Sequence, residues 1–326
     1  MKRRQYGKDL AFFGLILILL LVMLYSGLRI LESTVFYEEA TPQHTTKTIV
    51  RDGTAYFPRQ DMTVVLVMGV DREGPAVDSG AHINRASADM AVLLIFDEKN
   101  GACDILQLNR DTMVNMPVLG LGGRPAGTAW AQLALAHTYG SGLEDSCVNV
   151  RQTVSQLLYG VQIDYYLSMS MDVIPILNDA VGGVTVDVTE DFSQVDPTIG
   201  QGSVTLRGQQ ALNYVRTRKD LGDQLNISRM ERHRKYMNGF LTALREKAEQ
   251  DPGFLLTAYA QVEPYLVTDC SLNAISGMMD RFSDYEIREL ITLPGKNVLG
   301  ETYFEFHLNA EELDALILRL LYAPKK

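Results

Sequence analysis

Hydrophobic and polar positions alternate in blocks along this chain, and the blocks predict an α/β fold. Nearly continuous apolar runs of strand length occur at Met62–Val70 and Met90–Phe96, and Cys103–Asn109 follows the second run after a polar turn. Two such runs joined by a polar turn predict a hairpin. Further strands are predicted at Tyr165–Met169, Gly183–Val188, Arg288–Leu293 and Thr302–His307. Helical spacing predicts helices at Ala129–Tyr139, Val148–Leu158, Val173–Val181, Arg229–Glu246, Ile275–Phe282 and Ala310–Leu321.

The apolar run Ala11–Ile30 is long enough to cross a bilayer. Basic residues precede it and acidic residues follow it, an asymmetry that places residues 1–10 in the cytoplasm and the rest outside. A cleaved signal peptide is the alternative, but the run is long for one and no clear cleavage site follows it. We therefore predict a cytoplasmic tail at 1–10, a transmembrane helix at 11–31, an extracellular stalk at 32–60 and a catalytic domain at 61–326.

Charge narrows the class of partner. The chain carries a net charge of −10, and without its first 31 residues it has 25 basic and 39 acidic residues, a net charge of −14. Such a domain will not bind nucleic acid through a general basic field. Its three cysteines are too few for a disulfide framework, and whether Cys103, Cys147 or Cys270 form a bridge is left open.

Polar side chains stand at the ends of the first three predicted strands. Asp71 ends the first strand, Asp89 opens the second, and Arg110 and Asp111 end the third. Strand pairing would bring two carboxylates and an arginine to one rim of the sheet, an arrangement that suits Mg²⁺ (or Mn²⁺) held with substrate phosphates. Taken singly, each aspartate is more simply explained as a turn residue.

A second cluster is formed by arginines in an otherwise acidic chain, six of them between Arg207 and Arg234. The guanidinium group binds two phosphate oxygens at once and stays charged. An extended backbone would place Arg216 and Arg218 on one side. The helical offsets of Arg229, Arg232 and His233 place them on one face, although pairing with nearby acids is the simpler explanation for charge on a helix.

Other familiar chemistries leave no signature. The sequence has no P-loop motif, no H-E-x-x-H, no C-x-x-C and no G-x-S-x-G. The glycine-rich piece Leu119–Gly127 lacks a strand–helix context, so we predict a flexible loop there.

In order, the segments resemble those of the LytR–CpsA–Psr family of membrane-anchored cell-wall enzymes. The matching pieces cover roughly residues 62–245: MGVD (68–71), SADMAVLLIF (87–96), LQLNRDTMV (106–114), ALAHTYGSG (134–142), DAVGGVTV (179–186), LRGQQALNYVRTR (206–218) and SRMERHR (228–234). The resemblance implies an α-β-α fold with a central mixed β-sheet layered between helices. It also implies a phosphotransferase that moves a glycopolymer from a membrane polyprenyl-pyrophosphate carrier to peptidoglycan through a phosphodiester bond.

The resemblance also implies roles for the candidate residues. Asp71 and Asp89 would hold Mg²⁺, and the pyrophosphate would be bound by Arg110, Arg216, Arg218, Arg229 and Arg232. The chain departs from the family pattern at three places: Ser87 stands where an arginine is common and Arg85 lies two residues earlier, His233 replaces a glutamine, and Asn226 replaces an aspartate. Arg85 and His233 remain candidate pyrophosphate ligands.

The predicted reaction is in-line attack by a peptidoglycan sugar hydroxyl on the phosphorus nearest the glycan. Asp111 is either a general base or a residue that orients Arg110. Two alternatives remain open: a pyrophosphatase that uses water as the acceptor, and a non-catalytic lipid-carrier or wall-binding regulatory module.

Overall fold

A computed structural model describes residues 48–51, 53–120, 122–217, 226–251, 253–271, 274, 278, 281–282, 285–301 and 303–324. The predicted tail and transmembrane helix, residues 1–31, lie outside the described residues. None of the helices in the described part is both long and apolar enough to cross a membrane. The chain divides into two compact units, which we call the sheet unit (described residues 48–170, 266–270 and 285–324) and the helical unit (171–265 and 271–282).

In the described part of the chain, the sheet unit contains thirteen strands. The first eight are β1 Ile49–Arg51, β2 Thr54–Pro58, β3 Met62–Val70, β4 Ala88–Asp97, β5 Ala102–Leu108, β6 Met113–Leu119, β7 Pro125–Gln132 and β8 Tyr165–Ser170. Strands β9 Val184–Val188 and β10 Gly202–Leu206 belong to the helical unit. The sheet unit resumes with β11 Leu266–Thr268 and β12 Glu286–Thr292. The chain then adds β13 Gly295–Leu299, β14 Phe304–Leu308 and β15 Tyr322–Pro324. The two helices of this unit are α1 Glu144–Leu157 and, at its end, Ala310–Leu321.

A six-stranded mixed sheet forms the centre of the sheet unit, with strand order β11-β8-β3-β4-β5-β12. β3, β4 and β5 form an antiparallel meander, while β8 and β12 pair in parallel with β3 and β5. The sequences of β3 and β4 are nearly continuous apolar runs, as is typical of strands that are buried on both faces. The chain therefore has the mixed α/β architecture that was predicted.

The core of the sheet unit lies on one face of this sheet. Alternate residues of β3, such as Leu66 and Met68, pack with Val150 of α1 and Ile317 of the closing helix. This alternation follows from the two-residue period of a strand, which points every second side chain to the same face. Cys103, Cys147 and Cys270 are buried free thiols.

In the described part of the chain, the helical unit includes the four helices given below and a small antiparallel hairpin of β9 and β10. These helices are α2 Val173–Ala180, α3 Gln209–Arg216, α4 Asn226–Gln250 and α5 Phe254–Val262. We number the closing helix of the sheet unit, Ala310–Leu321, as α6. Gly239 lets α4 approach β9 closely, since a Cβ at that position would stand 2.4 Å from the carbonyl oxygen of Thr185. A side chain at this crossing would force the helix away from the hairpin.

Three predictions differ from the structure. The predicted helix Ala129–Tyr139 is instead the end of β7 followed by a 3-10 helix, Leu133–Thr138. β1 and β2 occupy part of the predicted stalk, and β2 pairs with the C-terminal strand β15. Arg216 ends helix α3 and is not part of an extended segment. The predicted helix near 275–282 falls largely outside the described residues.

Candidate active site

Asp89 and Arg110 meet at the ends of neighbouring strands in the sheet unit. Ala91 of β4 pairs with Leu108 of β5, so two further steps of the antiparallel register set Asp89 opposite Arg110. Nη1 of Arg110 donates to Oδ1 of Asp89. The two side chains are only 13% and 12% exposed, so this charge-assisted bond is partly shielded from water. The prediction that strand pairing joins a carboxylate and an arginine here is confirmed.

A β-bulge determines where the Asp89 side chain points. Successive residues of β3 pair with Met90 and then Ala88, which leaves Asp89 as the extra residue of β4. A bulge redirects a side chain and is frequent beside active sites. Just beyond it, the backbone N–H of Asp71 donates to the carbonyl oxygen of Ser87 at 2.8 Å, and Ser87 Oγ donates to Asp89 Oδ1 at 2.8 Å. Ser87 therefore links the two predicted metal-binding aspartates.

Asp111 is the most buried member of this group. Its side chain is 5% exposed, its Oδ1 lies 3.4 Å from Nε of Arg110, and the same oxygen accepts a hydrogen bond of 3.1 Å from Nε2 of Gln132. Asp111 therefore places a second carboxylate beside Arg110, near Nε, whereas Asp89 accepts from Nη1. We call Asp71, Asp89, Arg110 and Asp111 the carboxylate corner.

The carboxylate corner fits a cation that shares its coordination with a substrate. In the described part of the chain no three histidine, cysteine, aspartate or glutamate side chains are grouped as a protein-only metal site. Mg²⁺ is commonly bound by one or two carboxylates together with substrate phosphate oxygens. Asp71 and Asp89 offer that number of carboxylates at one end of the sheet.

Arg85 lies outside the carboxylate corner, exposed in the loop before β4. The preceding residue, Asn84, is buried, and its amide donates to the carbonyl oxygens of His137 and Gly140 and to Ser146 Oγ. This anchor fixes the loop backbone next to Arg85.

In the helical unit, Arg232 is a buried residue with every guanidinium nitrogen bonded to protein. It is 1% exposed. Nε donates to the carbonyl oxygen of Tyr214 at 2.9 Å, Nη1 to Oε1 of Glu190 at 3.2 Å, and Nη2 to the carbonyl oxygen of Thr217. Burial opposes ionisation of Glu190, yet hydrogen bonds from Thr189 and Arg232 lower its pKa below the usual value.

His233, like Arg232, contacts a backbone carbonyl group near the end of α3: its Nε2 lies 2.9 Å from the carbonyl oxygen of Val215. Arg232 and His233 thus meet three carbonyl groups at or just beyond the C-terminal end of α3. The last carbonyls of a helix lack partners within the helix, and basic side chains commonly bond to them. In this structure the two residues contact the end of α3, and their direct contact with pyrophosphate stays a prediction.

The remaining basic candidates are Arg216, Arg218 and Arg229. Arg216 is the last residue of α3 and is exposed, while Arg229 on α4 is 3% exposed. Arg218 lies outside the described residues. The partners Gln132 and Glu190 were missed by sequence reasoning. Gln132 falls in a segment predicted as helix, and no local pattern connects Glu190 with Arg232, 42 residues later.

Comparison with known proteins shows the class of protein that this fold and these residues define. The chain belongs to the LytR_cpsA_psr family, whose model matches residues 28–320. The resemblance found in the sequence motifs is therefore confirmed.

Individual relatives are more distant. The chain is 28% identical over 192 residues to the polyisoprenyl-teichoic acid–peptidoglycan teichoic acid transferase TagU of Bacillus subtilis, covering 59% of this chain and 55% of TagU. It is 26% identical over 270 residues to the Bacillus subtilis transferase TagT, covering 79% and 76%. A solved structure of TagT bound to LI-WTA superposes with a TM-score of 0.56 at 25% identity, covering 80% of this chain and 90% of that one. The chain thus spans about half the length of the TagU relatives that it matches.

Proposed function

We propose that this protein is a membrane-anchored phosphotransferase of the cell wall. It takes a glycopolymer from a polyprenyl-pyrophosphate carrier and attaches it to peptidoglycan through a phosphodiester bond. Family membership and the named activity of TagU and TagT support the reaction class. The apolar N-terminal segment and the charges around it support a single-pass anchor with the catalytic part outside the cell.

The observation that carries this proposal is the contact between Asp89 and Arg110 beside Asp71. Phosphoryl transfer depends mainly on positioning and on neutralising charge on the phosphate oxygens. A guanidinium group held rigidly by carboxylates on two sides is already oriented before the substrate binds, so little reorganisation is needed during the reaction. Asp111 is too enclosed to receive a proton from a substrate, and we assign it the positioning of Arg110.

The proposed chemical step is an in-line displacement. A hydroxyl oxygen of a peptidoglycan sugar forms a bond to the phosphorus nearest the glycan, and the bond from that phosphorus to the bridging oxygen of the diphosphate breaks. Polyprenyl phosphate leaves with the bonding electrons, and the hydroxyl proton is released. Arg110 would bind the non-bridging oxygens, to which its bonds strengthen as negative charge moves toward the leaving group.

Asp71 and Asp89 would hold Mg²⁺ or Mn²⁺ with the diphosphate, and the cation would neutralise phosphate charge. Among the arginines of the helical unit, we keep Arg216, Arg218 and Arg229 as proposed diphosphate ligands. Arg232 and His233 would support them by fixing the end of α3.

Product analysis with a defined polyprenyl-pyrophosphate glycan tests this function. With Mg²⁺ and peptidoglycan, the full chain in detergent should release polyprenyl phosphate and form a phosphodiester-linked glycan on the wall polymer. Equal release of polyprenyl phosphate without peptidoglycan would indicate a pyrophosphatase. Binding of the carrier without any turnover would indicate a non-catalytic module.

A further inference from the structure

The hairpin of β6 and β7 has one buried face and one face open to solvent. On the buried face, Val114 and Met116 are 4% and 1% exposed and belong to the core of the sheet unit. The opposite face is formed by the alternate residues of both strands. Along it, Trp130 pairs with Asn115 and Thr128 pairs with Pro117.

Trp130 dominates the open face. It is the only tryptophan in the sequence and is 65% exposed. Its neighbours Asn115 and Thr128 are also exposed. The side chains around the indole therefore offer an amide and a hydroxyl, both of which form hydrogen bonds, rather than a broad apolar surface.

Strand β7 connects this open face to the carboxylate corner through Gln132, which is buried. Gln132 is two residues from Trp130, so the two side chains point to the same side of β7. The amide of Gln132 donates to Asp111 Oδ1 at 3.1 Å and to the carbonyl oxygen of Phe304 at 2.8 Å. Two residues of strand cover about 7 Å. The exposed indole therefore lies within a few residues of strand of the residue that positions Arg110.

We propose that the open face of the β6–β7 hairpin binds the acceptor glycan strand, with Trp130 as a stacking platform. The flat indole ring suits the C–H face of a pyranose ring, and Asn115 and Thr128 suit its hydroxyl and acetamido groups. A membrane surface would require a wider apolar area than one ring among polar neighbours. The inference rests on the proposed function, because it identifies the binding surface for the sugar acceptor of that reaction.

Intrinsic fluorescence reports on this face directly, since all tryptophan emission comes from Trp130. Titration of the full chain in detergent with a β-1,4-linked N-acetylglucosamine tetramer should shift the emission to the blue and change its intensity in a saturable manner. An emission spectrum that is unchanged by the tetramer would overturn the proposal. So would a blue shift caused by vesicles of phosphatidylglycerol and phosphatidylethanolamine without any response to the sugar.

Co-sedimentation with insoluble peptidoglycan gives a second, independent readout. Trp130→Ala should weaken binding about tenfold, because it removes the aromatic anchor, and Trp130→Phe should recover most of the affinity. Leu299→Ala is the matched control, since Leu299 is 71% exposed on the hairpin of β13 and β14. If Trp130→Ala sediments like the wild type, the assignment is wrong.

These measurements separate the glycan surface from the catalytic proposal. Neither contains the lipid donor or Mg²⁺, so they test only acceptor binding. If transfer to peptidoglycan occurs while both glycan assays are negative, the proposed function stands and the hairpin assignment fails. If the glycan binds in both assays while the donor is never turned over, the face remains a glycan site and the proposed function fails.

Discussion

Arg110 is held between two carboxylates: it donates through Nη1 to Asp89, and its Nε lies 3.4 Å from Asp111. The antiparallel register of β4 and β5 produces the first contact, and the second joins neighbouring residues of the chain. Two acids around one arginine fix its orientation without burying it completely, since 13% of its side chain remains exposed. This geometry leads to separate expectations for each of the three residues.

Replacing Arg110 should remove transfer while leaving the fold intact. Arg110→Ala is expected to lower kcat by about 10²- to 10³-fold, as loss of an oriented charge-stabilising group does. Arg319→Ala is the matched control, because Arg319 is an exposed arginine whose partner, Glu289, is also exposed. Transfer rates and circular dichroism of both variants check the prediction. A fully active Arg110→Ala protein would rule out this arginine as a functional group.

Replacing Asp111 distinguishes positioning from proton transfer. Asp111→Asn keeps an oxygen for Gln132 but loses its charge next to Arg110. As a positioning residue, it should cost about tenfold in kcat and leave the shape of the pH–rate profile unchanged. If Asp111 were the general base, the acidic limb of the pH–rate profile, where the carboxylate becomes protonated, would disappear in the variant. The pH dependence of kcat in the variant decides between the two roles.

Alanine substitution of Arg232 should mainly lower stability, whereas alanine substitution of Arg216 should mainly lower transfer activity. Arg232→Ala leaves several carbonyl groups at the end of α3 without their donor and removes the partner of Glu190, so we expect a loss of about 3 kcal/mol in unfolding free energy. Arg216→Ala should change stability by less than about 0.5 kcal/mol, because the residue is exposed, yet reduce transfer.

Urea unfolding monitored by circular dichroism measures the first effect. Arg234→Ala is its control, since Arg234 is 56% exposed and pairs with Glu231 on the same helix. A stable Arg232→Ala protein with impaired transfer would restore Arg232 to the set of direct ligands.

Acid should destabilise the sheet unit through His137. Burial lowers the pKa of this imidazole to about 4, and its Nδ1 lies 2.8 Å from the carbonyl oxygen of Ala86. The unfolded state therefore binds a proton more readily, so the contribution is fully present above the ordinary pKa of about 6.5 and is lost as the pH falls toward 4. Between pH 7 and pH 5 the expected loss is about 2 kcal/mol.

Denaturant unfolding of wild type and His137→Asn at several pH values checks this sign. The asparagine amide can still donate to Ala86 and does not titrate, so the variant should lose less stability on acidification. Asp164 and Asp269 have raised pKa values because of burial, and they act in the opposite direction in both proteins. If the unfolding free energy changed with pH equally in the two proteins, His137 would not be the titrating group.

Much of the fold could be predicted from local pattern, because β3 and β4 are apolar runs of strand length and α6 has a helical apolar period. The β6–β7 hairpin could not. Ala129 and Ala131 fit a helix equally well, and only pairing with β6 makes this segment a strand. Likewise, β2 forms a sheet with Tyr322–Pro324 at the other end of the chain, a partner that no local pattern reveals.

Part of the candidate site could be predicted from the sequence, and part could not. Strand ends indicated Asp89 and Arg110, because neighbouring strands in a meander must bring their ends together. The helical spacing of Arg232 and His233 was correct, but their interaction partners were not evident. Spacing on a helix shows which side chains share a face and does not show whether that face meets a ligand or the carbonyl groups of another helix.

Turnover of a defined polyprenyl-pyrophosphate glycan by the full chain in detergent tests the central claim most directly. We expect release of polyprenyl phosphate that requires both peptidoglycan and Mg²⁺ or Mn²⁺ and stops when a chelator is added. Asp89→Asn should raise the cation concentration needed for half-maximal release, and Glu289→Gln should leave it unchanged. Release that ignores peptidoglycan, or a carrier that binds and is never cleaved, would contradict the assignment.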